Sequence, residues 1–550
     1  MPTSHLHTPR ERDPARLARQ RFDALIIGGG INGAGIARDL ALRGLRVALV
    51  EQGDYASGTS SASTKLVHGG LRYLENFDLR LVFEASRERR ILTAIAPHLV
   101  RPIPFFIPVY ENDPRSLLTV RAGMLFYDAL ALLRNTYLHS ILSADEAFAR
   151  EPALQRDGLK GVAVYWDCRM DDARLCLENV LAAHEMGAET VNYCRVLSLL
   201  RCEGKVVGAE VQDEESGSTY EVEAHIVINA AGPWLDAVCG LDGEEPGKLR
   251  PSRGSHILVP RINRGDEAIY LSSGSDARLF FVIPWGNLSL IGTTDITPAG
   301  DPGETRASEA DIDYLLAESA RHLQGVELDR SHVVAAFSGV RPLVSSEGAI
   351  GKASREHQIF TSASGMISVG GGKYTTYRAV AAEVAAKVCA QIGKGEGRSL
   401  TDRVPLPGGS TGRIETYLQR AEQKLGRPYG LPPAHLAALV NRYGSRAPLL
   451  LQRLQDDPAL LRPVAPGSSL LTLQVLHAID YEQARTPEDI LRRRTTRALE
   501  SGRGLHELEA IADLLASRFA VSPARRQQWC DDYRRRVALS VTDEKGPTPP

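Results

Sequence analysis

A glycine-rich turn near the N-terminus constrains the fold of this chain more than any other feature. The apolar run Asp23–Ile27 (DALII) ends at residues 28–33 (GGGING). Residues 32–43 then have helical spacing, and Arg46–Val50 (RVALV) is a second apolar run that ends at Glu51. A strand, a glycine turn, a helix and a second strand in this order predict a βαβ unit.

The spacing G-x-G-x-x-G gives each glycine a role in binding a dinucleotide. Gly28 permits the tight turn, Gly30 lets the backbone approach a pyrophosphate, and Gly33 lets the helix pack closely on the strand. The helix, which begins near Asn32, points N–H groups and the positive end of its dipole at the phosphates. Glu51 lies about 20 residues further on, where an acid meets the ribose hydroxyls. The unit therefore predicts a Rossmann-type site.

The bulk composition argues against several other classes of protein. A length of 550 residues implies roughly two to four domains. The 65 Lys and Arg residues balance 67 Asp and Glu residues, so no strong field attracts nucleic acid. The seven cysteines form no C-x-x-C pair, so we expect no metal site, and their odd number fits reduced thiols in a cytosolic protein. No stretch reaches the ~18 uninterrupted apolar residues of a membrane span.

The remaining pattern divides the chain into regions. We expect a flexible tail over residues 1–21 and an α/β region over 22–405. Alternating residues between Ser255 and Thr293 predict an antiparallel insert at about 250–345. The Pro/Gly break VPLPGG at 404–409 marks a boundary, and residues 406–550 are predicted to be helical.

Two later segments favour FAD over a nicotinamide cofactor. A nicotinamide enzyme would continue with further βα units, whereas this chain continues into a Ser-rich loop and the antiparallel insert. The segment HIVINAAGPW (225–234) resembles the strand that flavoproteins place beside the ADP half of FAD. GMISVGGGKYTTYR (365–378) resembles the late strand and helix N-terminus aimed at the isoalloxazine, where a helix dipole stabilises negative charge.

Several motifs together resemble FAD-dependent glycerol-3-phosphate dehydrogenases, densely over residues 22–408 and more loosely beyond. The motifs are IIGGGINGAGIARDLALRGL (26–45), TSSASTKLVHGGLRYLE (59–75), NAAGPW (229–234), GSHILVP (254–260), SGVRPL (338–343) and GGKYTTYR (371–378). The resemblance implies an α/β fold in which a Rossmann-like FAD-binding domain of the glutathione-reductase type interleaves with an antiparallel β-sheet substrate domain. An all-α C-terminal domain follows.

The resemblance also implies an activity. Hydride transfer from C2 of sn-glycerol 3-phosphate to FAD N5 yields dihydroxyacetone phosphate, and the electrons pass to ubiquinone or menaquinone. It implies a cytoplasmic homodimer, peripheral on the inner membrane. Basic pieces such as Ile490–Arg497 (ILRRRTTR) are candidates for contact with anionic lipid, although a charge run is more often a solvated helix face.

Candidate site residues follow from the same motifs. Arg72 and Lys373 are expected at the substrate phosphate, with hydroxyl hydrogen bonds from Tyr73 and Thr375, and Arg341 beside the reacting carbon. The proton acceptor is expected to be His68 or His256, with a water molecule beside Arg341 as a third option. The expected cofactor-binding residues are Gly28, Gly30, Asn32, Gly33, Glu51, Thr59, Ser60, Ser63, Lys65, His68, Gly69, Ala230, Gly232, Trp234, Gly371, Gly372, Lys373 and Thr375.

Two other functions stay open from the sequence. An oxidase of the same substrate would pass electrons to dioxygen, and a flavin-binding protein without turnover would act as a sensor. The cation cluster of Arg72, Arg341 and Lys373 argues against the second, because a flavin binder needs no phosphate site. A relative with a cysteine-rich C-terminal electron-transfer segment is disfavoured, since Cys530 is the only cysteine in residues 404–550.

Overall fold

The computed structural model describes residues 11–70, 78–130, 137–274, 278–345, 356–395 and 397–539. The predicted substrate residues Arg72 and Tyr73 lie outside these ranges. The strands are β1 (Phe22–Ile27), β2 (Val47–Val50), β3 (Leu66–Val67), β4 (Val100–Tyr110), β5 (Ser140–Leu142), β6 (Leu159–Met170), β7 (Glu189–Val191), β8 (Cys194–Cys202), β9 (Lys205–Asp213), β10 (Thr219–Asn229), β11 (Ser252–Pro260), β12 (Ala268–Ser272), β13 (Leu279–Trp285), β14 (Leu288–Gly292), β15 (Ala335–Arg341), β16 (His357–Thr361) and β17 (Ile367–Gly371).

The α-helices alternate with these strands and then dominate the C-terminal region. They are α1 (Ile31–Leu42), α2 (Leu79–Ile95), α3 (Leu117–Leu130), α4 (Ala144–Arg150), α5 (Asp172–Glu185), α6 (Leu235–Leu241), α7 (Glu309–His322), α8 (Tyr377–Ile392), α9 (Ile414–Ala421), α10 (Pro433–Tyr443), α11 (Ala447–Gln452), α12 (Thr472–Tyr481), α13 (Leu508–Phe519) and α14 (Pro523–Val537). None of the described helices is both long enough and apolar enough to cross a bilayer.

The first sheet is built on the predicted βαβ unit. Its parallel core has the order β17-β10-β1-β2-β7, and β16 pairs antiparallel with β17. All six residues of β1 and all four of β2 are buried, because α1, α5 and α8 pack together beside them. β8 and β9 extend the first half of β10 as an antiparallel ribbon. The Rossmann-type prediction is confirmed.

The second sheet has the order β15-β11-β14-β13-β12-β4-β6-β3, with β5 paired to β6. Its pairs are antiparallel except β12 with β4. The expected insert at about 250–345 supplies only part of this sheet. Strands β3 to β6, from residues 66–170, complete it, because the long strands β4 and β6 pair along their whole length and β4 joins β12.

The structure differs from two expectations about charged segments. The predicted flexible tail is ordered from Arg12 onwards, since Arg12 Nη2 pairs with Asp213 at 2.5 Å and Leu17 is fully buried against the first sheet. Two of the four arginines in the basic segment Ile490–Arg497 are buried, whereas Arg492 and Arg497 are partly exposed. Arg493 and Arg494 are 5% and 1% exposed and pair with buried carboxylates, so they have no access to lipid.

Candidate active site and cofactor cleft

A cavity of about 560 Å³ is lined by residues of both sheets. Its wall runs from the C-terminal ends of β1 and β2 to residues of β11, β13, β15 and β17. The predicted residues on the wall are Gly28, Gly30, Asn32, Glu51, Thr59, Ser60, Ser63, His68, Ala230, Gly232, Trp234, His256, Arg341, Gly371, Gly372, Lys373 and Thr375. Motifs separated by more than 300 residues therefore meet at one cavity.

The glycine turn forms one end of this cavity. A Cβ atom added to Gly33 would lie 1.9 Å from the carbonyl oxygen of Gly28, so α1 can cross β1 this closely only at a glycine. Gly28 has a φ of 111° and lies against the backbone of Ala230. The Oγ of Ser60 accepts a hydrogen bond from Ile31 N at 2.9 Å, so the Ser-rich loop caps the first turn of α1. Gly33 itself supports the turn and does not line the cavity.

Glu51 ends β2 beside the turn. Its Oε2 accepts a hydrogen bond from Gly29 N at 2.6 Å and its Oε1 accepts one from Gly53 N at 2.8 Å. Burial raises the pKa of this carboxyl, while the two backbone hydrogen bonds oppose that change. A carboxylate fixed at the end of the second strand is the arrangement that recognises ribose hydroxyls.

Lys65 does not line the cavity, unlike its neighbours Ser63 and Thr64. Its Nζ pairs with Asp172 at 2.6 Å, and the same carboxylate accepts hydrogen bonds from Ser63 N and Oγ at 3.1 and 2.7 Å. Because its backbone is left-handed, with a φ of 58°, Lys65 turns away towards the N-terminus of α5. Its contacts therefore assign Lys65 to fixing the Ser-rich loop.

Arg341 ends β15, and its guanidinium is held by several acceptors. Nη2 donates to Thr293 Oγ1 at 2.9 Å, and Nη1 donates to Ser252 Oγ and Asp295 Oδ1, both at 3.2 Å. A Cβ atom at Gly254 would lie 2.2 Å from Nη2, so only glycine at this position leaves room for the guanidinium. Gly254 was not predicted as a site residue.

His256 lies on β11, one strand from Arg341. Its Nε2 hydrogen-bonds Thr64 Oγ1 at 2.9 Å, and its ring stacks on Phe337 at 4.9 Å. Its Nδ1 has no hydrogen-bond partner among the described residues. Burial lowers the pKa of His256 well below its usual value, and the charges of Arg341 and Lys65 lower it further. The imidazole is therefore neutral at neutral pH.

Lys373, Thr375 and His68 form another part of the wall. Lys373 precedes the short turn that leads into α8, and Thr375 is 1% exposed. The backbone N–H of His68 donates to Thr375 Oγ1 at 3.3 Å, which joins the end of β3 to the start of α8. The cations of Arg341 and Lys373 thus share one cavity with the rings of His68 and His256.

Asp167 is a wall residue that the sequence did not reveal. It lies on β6, accepts a hydrogen bond from Gly69 N at 2.9 Å and pairs with Arg89. Burial raises the pKa of Asp167, whereas the Arg89 charge lowers it. Tyr127 donates to the same cluster and lies so close to Gly69 that a Cβ there would be 2.0 Å from its hydroxyl. Gly69 therefore supports the wall from behind.

The chemistry of the cavity wall fits FAD. Glycines and a fixed acid line one end, as the pyrophosphate and ribose require. The other end combines apolar and polar surface, with aromatic residues that the sequence did not predict. These aromatic residues are Phe105, Tyr165, Tyr270 and Phe281.

Comparison with known proteins identifies the family. The family described as "FAD dependent oxidoreductase" matches residues 23–378, and the "C-terminal domain of alpha-glycerophosphate oxidase" matches residues 399–526. The chain is 40% identical to a glycerol-3-phosphate dehydrogenase of Synechocystis over 87% of its length and 89% of the relative. It is 34% identical to the aerobic glycerol-3-phosphate dehydrogenase of Bacillus subtilis, with 93% of each chain covered.

Solved structures agree with these sequence matches. The glycerol-3-phosphate dehydrogenase of Bacillus halodurans, complexed with FAD, superposes with a TM-score of 0.79 at 29% identity over 97% of this chain and 98% of that one. The L-α-glycerophosphate oxidase of Mycoplasma pneumoniae, at 18% identity and a TM-score of 0.53 over 68% of this chain and 95% of that one, shares the fold. The cofactor is FAD, and the chain belongs to the family of FAD-dependent glycerol-3-phosphate dehydrogenases.

Proposed function

We propose that the protein oxidises sn-glycerol 3-phosphate to dihydroxyacetone phosphate and passes the electrons to a membrane quinone. The observation that carries this proposal is the meeting of Arg341 and Lys373 with two histidines in the cavity that also contains the glycine turn. A phosphate ester needs fixed cations, and an alcohol that loses a hydride needs an acceptor for its proton.

The bound cofactor supplies a two-electron acceptor for the hydride from C2. Gly28, Gly30 and Glu51 would hold its ADP half, and Gly371–Thr375 would lie beside its ring system. Lys373 binds the substrate phosphate. Arg341 stabilises charge that develops on the C2 oxygen, because its guanidinium is already oriented by three side-chain oxygens.

His256 accepts the hydroxyl proton. Burial and the charges of Arg341 and Lys65 lower its pKa, so the imidazole is unprotonated where it lines the cavity and is free to take a proton. His68 is the alternative acceptor, because it lines the same cavity. Aromatic walls exclude water from the reacting carbon, which strengthens each of these electrostatic contacts.

An exposed apolar stripe on α3 supports a membrane-bound electron acceptor. Leu118, Ala122, Leu125 and Ala129 have a helical spacing of four, three and four residues, and all are exposed. Leu118 is 75% exposed and belongs to a row of exposed apolar residues, and such a patch marks an interaction surface where a single exposed leucine does not. An apolar stripe on a helix is the feature that enters the interfacial layer of a bilayer.

The surroundings of this stripe fit the same partner. Leu79 and Phe83 on the neighbouring helix α2 are also exposed, and Arg80 and Arg121 add positive charge that suits anionic lipid. The opposite face of α3 carries Tyr127, which reaches the cluster at Asp167 on the cavity wall. A quinone held at the stripe would therefore lie close behind this wall.

An anaerobic titration of the purified yellow protein tests the reaction. Addition of sn-glycerol 3-phosphate is expected to bleach the flavin absorbance, whereas glycerol and the enantiomer sn-glycerol 1-phosphate are expected to leave it unchanged. A quinone analogue should then restore the absorbance. Absence of bleaching would instead support a flavin-binding protein without turnover.

Reoxidation by air separates the quinone-linked enzyme from the oxidase. The quinone-linked enzyme is expected to reoxidise slowly in air and to form little hydrogen peroxide. Rapid peroxide formation without quinone would contradict the proposal and favour the oxidase, a function that the match to a glycerophosphate oxidase C-terminal domain keeps as the second candidate.

A further inference from the structure

The loop that follows β2 fixes the middle of the glycine turn. This Glu51 loop, residues 51–58, contacts Gly29 in three ways. Glu51 Oε2 accepts from Gly29 N at 2.6 Å, Ala56 N donates to Gly29 O at 3.1 Å, and the ring of Tyr55 would lie 2.8 Å from a Cβ at Gly29. A displacement of the loop would therefore move both the acid and the turn.

The helical C-terminal domain contacts the opposite side of the same loop. Tyr55 Oη donates to Gln483 Oε1 at 2.8 Å. Asn192 Nδ2 donates both to Gln483 O at 3.0 Å and to Asp54 Oδ1 at 3.1 Å. Tyr55 is fully buried and Gln483 is 3% exposed, so water does not replace these contacts when they are lost.

A buried charge cluster strengthens this connection. Asp54 accepts hydrogen bonds from Arg494 Nη1 and Nη2 at 2.5 and 2.8 Å and from Arg493 Nε at 2.6 Å. Arg494 Nη2 also donates to the carbonyl oxygen of Glu482 at 2.7 Å, one residue before Gln483. Because Asp54 and Arg494 are each 1% exposed, neither charge has water as an alternative partner.

We propose that the helical domain sets the affinity for FAD by holding the Glu51 loop, with Gln483 and Arg494 as positioning residues. Neither residue lines the cavity. Gln483 acts through Tyr55 and Arg494 acts through Asp54, and both contacts position Glu51 and the glycine turn. This inference rests on the proposed placement of the ADP half at the turn. It gives the helical domain a role in cofactor retention rather than in the chemistry at the flavin ring.

A double-mutant cycle on the full-length apoprotein tests the inference. Tyr55→Phe removes only the hydroxyl and leaves the ring on Gly29, and Gln483→Met removes its acceptor at similar volume. FAD binding is measured by the quenching of flavin fluorescence. Each single variant is expected to raise the Kd for FAD about three- to tenfold, and the double variant to raise it no further than the larger single effect. With saturating FAD, the substrate KM and the rate of flavin bleaching should stay within about twofold of wild type.

Tyr533→Phe is the matched control. This tyrosine is also buried in the helical domain, and its Oη donates to Arg503 O at 2.6 Å, away from the Glu51 loop. Loss of this hydroxyl in Tyr533→Phe should lower the midpoint of unfolding without changing the Kd for FAD. The inference is overturned if either single variant binds FAD like wild type, if the two effects multiply, or if Tyr533→Phe weakens FAD equally. Failure of the proposed activity would appear separately, as a wild-type flavin that the substrate does not bleach.

Discussion

Among single residues, Arg341 combines a fixed orientation with a position on the cavity wall. Its guanidinium bridges Thr293, Ser252 and Asp295, contacts that the point charge of a lysine cannot reproduce together. Arg341→Ala is expected to slow flavin reduction by glycerol 3-phosphate about 10²–10³-fold, and Arg341→Lys by roughly tenfold or more, with FAD still bound. Anaerobic stopped-flow absorbance measures the rate. Arg156→Ala, at an arginine that is 65% exposed and does not line the cavity, should have no effect.

The two histidines on the wall differ in what they can contribute. His256→Asn is expected to slow flavin reduction about 10²-fold, because it removes the proposed proton acceptor, and His68→Asn is expected to slow it less. Since the pKa of His256 lies well below 6.5, the rate of flavin reduction should not fall as the pH is lowered through 6.5. A decline centred near pH 6.5 that His256→Asn leaves in place would assign the proton to another group.

Residue positions were predictable where a local pattern carries the chemistry. Gly28, Gly30 and Glu51 line the cavity, as do residues 371–375 of the GGKYTT segment. Lys65 was assigned to the cavity wall because its motif lies there, but the partner that turns it away, Asp172, is 107 residues distant. Asp167 was missed because no motif marks its position on the cavity wall. A single acid in an apolar strand gives no periodic signal, and only tertiary pairing brings it to the wall.

At the scale of elements, four of the five parallel strands of the first sheet (β1, β2, β10 and β17) were predictable, and the composition of the second sheet was not. The first sheet is coded by local runs such as β1 and β2, each ending at a turn. In the second sheet, β4 pairs with β12 across a sequence separation of about 160 residues. Strand pairing at that distance depends on which faces become buried in the folded molecule. The residue pattern of an individual strand does not reveal its distant partner.

The crossing of α1 over β1 tolerates no side chain. Gly33→Ala would force a methyl group to within 1.9 Å of the Gly28 oxygen, a backbone atom that cannot rotate away. We expect overpacking strain of about 1–3 kcal/mol and FAD binding weakened about tenfold or more, measured as the Kd of the apoprotein. Gly240→Ala, in helix α6 with no atom within 4 Å of the added carbon, should bind FAD normally. Equal FAD affinity of the two variants would show that the close crossing is unimportant.

The stripe on α3 makes a separate prediction. Leu118→Ser with Leu125→Ser should lower binding to anionic lipid vesicles about tenfold or more, since on the proposed membrane contact each exposed leucine would transfer its side chain from water to lipid. Vesicle co-sedimentation measures the bound fraction, and anaerobic flavin reduction should be unchanged. Leu400→Ser, at a leucine that is 45% exposed elsewhere, is the control. Unchanged sedimentation of the double variant would exclude the stripe as the membrane contact.

For the whole molecule, buried histidines connect stability to pH. Burial lowers the pKa of His98 to about 3 and that of His477 to about 4, both from a usual value of 6.5. Below pH 6.5 the unfolded chain therefore binds protons that the folded chain excludes. For these groups the free energy of unfolding decreases as the pH is lowered. Glu178 acts in the opposite direction, because burial raises its pKa to about 7 and the folded state takes up a proton first. The pH dependence of the unfolding free energy is the sum of the contributions of all such groups. The contribution of one group is therefore measured by substituting that residue.

His98 is the suitable group, because it is 2% exposed and neither ring nitrogen has a hydrogen-bond partner among the described residues. His98→Leu keeps a buried side chain but removes the titration. Between about pH 5.5 and 4 it should reduce the dependence of the unfolding free energy on pH by about 1.4 kcal/mol per pH unit. Urea unfolding midpoints across this range measure the change, with His506→Leu, at an exposed histidine, as the control. His98 lies between Gly408 and Gly444 of the helical domain. If His98→Leu leaves the pH dependence of the unfolding free energy unchanged, His98 is already protonated in the folded protein over this range, and its burial does not exclude a charge.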